Sequence, residues 1–116
     1  MTTWIRIAML GTLIACGTMA AAADDHMTPY RVLAADTLKA FKAHDMPTAK
    51  KTARELEVAW DTREKALEKK SPDVWGQIDK AMDAFIKPMM QDKSPDPAGA
   101  QAAYDTFLAK LQLAVS

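Results

Sequence analysis

Apolar side chains recur at spacings of three and four along four stretches of this chain, and each stretch opens on a proline that follows or nearly follows a polar capping residue. Such spacing gathers each apolar set on one face of a helix. The first set, Tyr30, Leu33, Ala34, Leu38 and Phe41, predicts a helix from Pro29 to about Ala43. The second, Ala49, Ala53, Leu56, Trp60 and Leu67, predicts one from Pro47 to about Lys69. Trp75, Ile78, Met82, Phe85, Ile86 and Met89 predict a third from Pro72 to about Gln91, with Pro88 expected to kink or end it. Ala100, Tyr104, Phe107, Leu108 and Leu111 predict a fourth from Pro97 to about Val115.

The starts are marked by Thr28-Pro29, Asp45-Met46-Pro47, Ser71-Pro72 and Asp96-Pro97. Proline suits the first turn because its missing N–H has no intrahelical partner there, and a Ser, Thr or Asp just before it accepts from a free amide. Short connections make neighbouring helices antiparallel. The expected fold is all-α: an up-down four-helix bundle over residues 29–116, or a three-helix core with a looser first helix.

A different pattern precedes the helices. Residues 1–23 carry one positive charge at Arg6, an apolar run from Ile7 to Ala15, and small residues from Ala20 to Ala23 before Asp24-Asp25. This is the tripartite form of a cleavable export signal, which predicts a periplasmic or otherwise exported protein. The run falls short of the roughly 20 apolar residues of a membrane span and is diluted by Gly11, Thr12, Gly17 and Thr18. Two cleavage readings are open. Ala20-Ala21-Ala22 fits the small-x-small rule and would release a soluble protein starting near Ala23 or Asp24, with residues 24–28 as a flexible N-terminus. Leu13-Ile14-Ala15-Cys16 resembles a bacterial lipobox, which would cut after residue 15 and anchor the protein through a lipid on Cys16.

Composition narrows the function. Cys16 is the only cysteine, so the helical domain has none for a disulfide, a thiolate metal site or haem attachment. Without Arg6, 14 basic side chains face 15 acidic ones. A charge near zero argues against nucleic acid as a partner, and it leaves a lipid on Cys16 as the one expected link to a membrane. No Gly-x-Ser-x-Gly elbow and no Gly-rich phosphate loop occurs, so a non-enzymatic role is expected. Met82, Met89 and Met90 stand beside Phe85 and read as core filling rather than copper ligands. The fourth helix has no histidine to serve as an axial ligand, so haem is not expected. His44, at the end of the first helix, reads as a helix-terminal group rather than a ligand.

The densest polar chemistry lies on the second and third helices. Glu57, Trp60 and Glu64 share a flank of one; Trp75, Asp79 and Asp83 are successive i, i+4 neighbours on the other. Packed antiparallel, the two helices set Trp60 and Trp75 at different heights and let Glu57, Glu64, Asp79 and Asp83 approach along one seam. Such an oxygen-rich cluster suits iron or another hard divalent cation. The competing reading is a solvated face paired with Arg54, Lys65, Lys80 and Lys87.

From Leu38 to Leu111 the chain resembles the small periplasmic helical-bundle modules associated with bacterial iron permeases and imelysin-like iron-uptake proteins. The matching residues are Trp60-Asp61-x-x-Glu64, the Ser71-Pro72 turn, Trp75-x-x-Ile78-Asp79-x-x-x-Asp83, an Asp-Pro loop and a Leu-rich last helix. The permeases' Arg-Glu-x-x-Glu motif is absent, since Arg63-Glu64-Lys65-Ala66 is followed by Leu67, and no imelysin-type His-x-x-Glu pair occurs. The resemblance implies an extracytoplasmic accessory module, acting in metal handling or beside an envelope protein partner, with Asp61, Glu64, Asp79 and Asp83 as residues to test. A structural or interaction lipoprotein and a small-molecule-binding periplasmic protein are the alternatives.

Overall fold

The computed structural model describes residues 26–91 and 95–115. The expected export signal, Cys16 and residues 24–25 lie outside the described residues. Those described form helices and their connections without a strand: α1 (Thr28–Lys42), α2 (Met46–Arg63), α3 (Lys65–Lys70), α4 (Pro72–Met90) and α5 (Pro97–Leu113). No helix among them is long and apolar enough to cross a membrane.

The proline starts hold, but the expected side-chain caps form at only two of them. Asp45 accepts from the Thr48 amide at 3.2 Å and Asp96 from the Gly99 amide at 2.8 Å. Thr28 already lies within α1, and the cap position falls to Met27, whose carbonyl accepts from the Tyr30 and Arg31 amides. Met27 is fully buried, so the packed chain begins inside the stretch expected to be flexible. Ser71 starts α4 through its backbone carbonyl, which accepts from the Trp75 amide at 2.9 Å.

α1 ends in a Schellman closure. The Asp45 amide reaches back to the Ala40 carbonyl and the His44 amide to that of Phe41. His44 takes the left-handed position at φ 61°, where glycine is usual. It therefore serves the helix end through its backbone.

The second expected helix is divided. Its hydrogen-bonding breaks at Glu64, whose amide still donates to Trp60 and whose carbonyl accepts from Glu68, so one residue closes α2 and opens α3. The division also changes the height at which α4 meets α2. A helix continuous to Lys69 would hold Trp60 and Trp75 apart; with the chain turning at Glu64, Trp75 stacks on Trp60 at 5.9 Å between ring centres, 21° between planes. Pro88 lies inside α4, and the helix runs on to Met90. Proline removes one i to i−4 bond, but only a short stretch of helix remains beyond it.

α1 packs chiefly on α2, α4 on α5, α2 on α4, and α1 more lightly on α5; α3 lies mainly against α4. The pairs Thr37 with Thr52 and Tyr30 with Trp60 make α1 and α2 antiparallel. Likewise Phe85 with Tyr104 and Gln77 with Lys110 make α4 and α5 antiparallel. Between these pairs lies one core, with Tyr30, Leu56, Trp60, Ile78, Phe85, Ile86, Met89, Phe107 and Leu111 at 2 % exposure or less. Met82 and Met89 are buried in it, as the core-filling reading expects.

Candidate functional site

α2 has three faces, and each does something different. Ala49, Ala53, Leu56 and Trp60 point into the core. A second flank brings Asp61 within electrostatic reach of Asp79 on α4, while a third, through Lys50, Arg54 and Val58, lies beside Leu33 of α1. Asp61 of the expected carboxylate cluster belongs to the second face and an open groove to the third.

The five expected metal ligands, Glu57, Asp61, Glu64, Asp79 and Asp83, do not assemble into one donor set. Among the described residues, no group of three His, Cys, Asp or Glu side chains is placed to hold a metal ion. Glu64 turns away from α4 toward α1. It is only 6 % exposed, accepts a short hydrogen bond from the Tyr30 hydroxyl, and lies 3.8 Å from Nε2 of His26. Register alone leaves Glu64 between the Glu57 flank and the core stripe of Trp60; α2 ends at this residue, and Tyr30 of α1 supplies the contact that its buried carboxylate makes. A buried carboxylate then needs a donor, and the phenol supplies one. In return, burial of Tyr30, followed by its bond to Glu64 and the negative charge there, pushes the phenol well above its ordinary range, against a smaller opposite effect of Arg63.

Asp83 and Asp61 do come within electrostatic reach of Asp79, while Glu57 is half-buried on α2. Asp83 is paired with Lys87 at 3.7 Å, one turn along the same helix. The Asp79 carboxyl is raised from its usual range, first by burial and then by the charges of Asp83 and Asp61; the Trp60 indole and Lys87 pull the other way. The buried Nε1–H of Trp60 thus favours the charged form of Asp79 without reaching a hydrogen bond of normal geometry.

A carboxyl raised by folding contributes stability that is fully present below its unfolded pKa and lost as pH rises through the folded value. Asp79→Asn is therefore expected to raise the melting temperature by a few degrees at neutral pH. The gain should fade toward about pH 4, where the aspartate is itself becoming neutral. Thermal melts of both proteins across this range check it. A loss of stability at neutral pH would mean that the Trp60 and Lys87 contacts outweigh the burial.

The third face of α2 forms an open groove with α1, about 650 Å³ in volume. This lies within the roughly 300–1,000 Å³ of small-molecule sites. Leu33, Pro47, Val58 and Ala59 supply its apolar surface. Around them stand Lys50, Lys51, Arg54 and Arg63, with Glu55 as the only acidic side chain among the described lining residues. Lys51 and Glu55 face each other at 3.7 Å, and Arg54 and Arg63 keep the described lining biased toward positive charge. Val58 is 54 % exposed, a large apolar side chain left in water along the groove. A smaller hollow of about 290 Å³ at the α1–α2 turn carries Asp36 and Asp45 beside Lys39 and has no comparable bias.

The groove has only a faint mark in the sequence. Lys50, Lys51 and Arg54 share a flank with Val58, a mixture that a purely solvated face does not need. Comparison with protein-family models, with curated proteins and with solved structures finds no match for this chain.

Proposed function

We propose that this chain is an exported, non-enzymatic up-down four-helix bundle that works as a small-molecule-binding module in the cell envelope. The observation that carries the reading is the α1–α2 groove, which combines ligand-site volume, exposed apolar surface and an excess of one charge. The carboxylates elsewhere are occupied by the fold: Glu64 with Tyr30, Asp83 with Lys87, and Asp79 beside Trp60. Among the described residues, no Ser, Cys or His lines the groove. The bundle topology is supported by the antiparallel pairs α1–α2 and α4–α5 and by the α2–α4 and α1–α5 packing that joins them.

Export rests on the pattern of residues 1–23. The resemblance to iron-uptake accessory modules agrees with that compartment, whereas its metal side has no matching donor set among the described carboxylates. Cell fractionation of the expressed full chain, with intact-mass measurement of the product, tests the compartment. The expected result is an envelope or periplasmic protein beginning near Ala23 or Asp24, or at a lipid-modified Cys16. Full-length protein retained in the cytoplasm overturns it.

A further inference from the structure

The occupant of the groove can be narrowed by its two kinds of surface. Leu33, Val58 and Ala59 offer a strip that is stabilised by any apolar chain laid over it, since burying such surface is worth roughly 25 cal/mol per Å². That strip alone would not choose between ligands. The choice comes from the surrounding cations, because Arg54 and Arg63 offer planar guanidinium groups suited to two-point binding of a carboxylate or phosphate. A cationic or zwitterionic head would meet repulsion from at least part of this rim. The groove is also narrow in capacity: it suits one acyl chain, and a two-chain lipid would leave much of its apolar surface in water.

We propose that the α1–α2 groove binds a free single-chain anionic amphiphile, with the apolar chain along Leu33, Val58 and Ala59 and the acidic head held by Arg54 and Arg63. The inference rests on the binding-module reading above and adds the ligand's chemical class. It requires no movement of the core, because the lining groups belong to the outer faces of α1 and α2.

Titration calorimetry with dodecanoate below its micelle concentration tests this, using the full chain. One site per chain is expected, with dodecanol and dodecyltrimethylammonium binding at least about tenfold more weakly and acetate giving no detectable heat. Arg54→Glu and Val58→Asp change exposed residues, so folding should survive, as circular dichroism verifies. Each should weaken dodecanoate binding by at least about tenfold. Equal affinity for dodecanol, unchanged binding in both variants, or binding only to anionic phosphatidylglycerol vesicles would each overturn the proposal. The export reading is judged separately by fractionation and survives a failure here.

Discussion

Trp60→Ala is expected to remove about 3–5 kcal/mol of stability, the range for deleting a large aromatic from a packed core. Trp60 is fully buried and joins three helices: its ring meets Tyr30 of α1 edge-on at 5.4 Å and stacks on Trp75 of α4 at 5.9 Å. Truncation would leave a cavity lined from α1, α2 and α4 that no single side-chain rotation can fill. Small domains are stable by roughly 5–15 kcal/mol in total, so a loss of this size brings unfolding within reach of mild urea. Urea titration followed by helical circular dichroism checks it, and Trp60→Phe serves as the internal comparison. Phenylalanine keeps most of the ring volume and removes an N–H that is buried without a full hydrogen bond. It should cost less than half as much as alanine. Equal losses in the two variants would mean that cavity formation is not the source of the effect.

The contrast between Trp60 and Glu64 shows which features can be read locally. Each of the four expected helix starts is a proline with its neighbours, legible because the signal lies within a few residues. Helical periodicity likewise placed Trp60, Ile78, Phe85 and Phe107 in the core. The break at Glu64 has no such mark, since neither glycine nor proline stands there. What accompanies it is a contact with Tyr30, 34 positions away. Taken with Glu57, Glu64 belongs to a charged flank; taken from Trp60, it continues the core stripe, and only the position of α1 decides between them. The stack of Trp75 on Trp60 accompanies the same break, so the expected carboxylate seam and the expected aromatic geometry depart at one place in the chain.

The groove was hidden for a related reason. Lys50, Lys51 and Arg54 on one helix look like a solvated stripe, and the apolar strip appears only when Leu33 arrives from α1 beside Val58 and Ala59. Charge excess is equally invisible in the totals, which balance over the whole chain. The balance is spatial: cations gather on the α1 side of α2, and Asp61, Asp79 and Asp83 on the α4 side. A ligand approaching the molecule therefore meets two different electrostatic faces, despite a net charge of zero.

Tyr30→Phe is expected to destabilise the protein by about 1–3 kcal/mol, the penalty for leaving a buried polar group short of its hydrogen bond. The loss should greatly exceed the worth of one hydroxyl on the surface, because Glu64 keeps its burial and loses its phenolic donor, with His26 at 3.8 Å on its other side. Changing both partners distinguishes this from simple loss of packing. In Tyr30→Phe with Glu64→Leu the unsatisfied carboxylate is gone, so the double variant should be more stable than Tyr30→Phe alone, with a coupling of roughly 1 kcal/mol or more in the cycle. Additive losses would show that the two side chains act independently. The alkaline limb gives a second readout. Tyr30 is raised by folding, so its contribution is fully present below the unfolded tyrosine value and is lost as pH rises through the folded one. Stability of the parent protein should therefore begin to fall above about pH 10, and Tyr30→Phe should fall less steeply there. Both effects have one origin: the hydroxyl proton that satisfies Glu64 is also the proton that alkali must remove, so the carboxylate closing α2 ties the joint between α2 and α3 to the ionisation of a residue on α1.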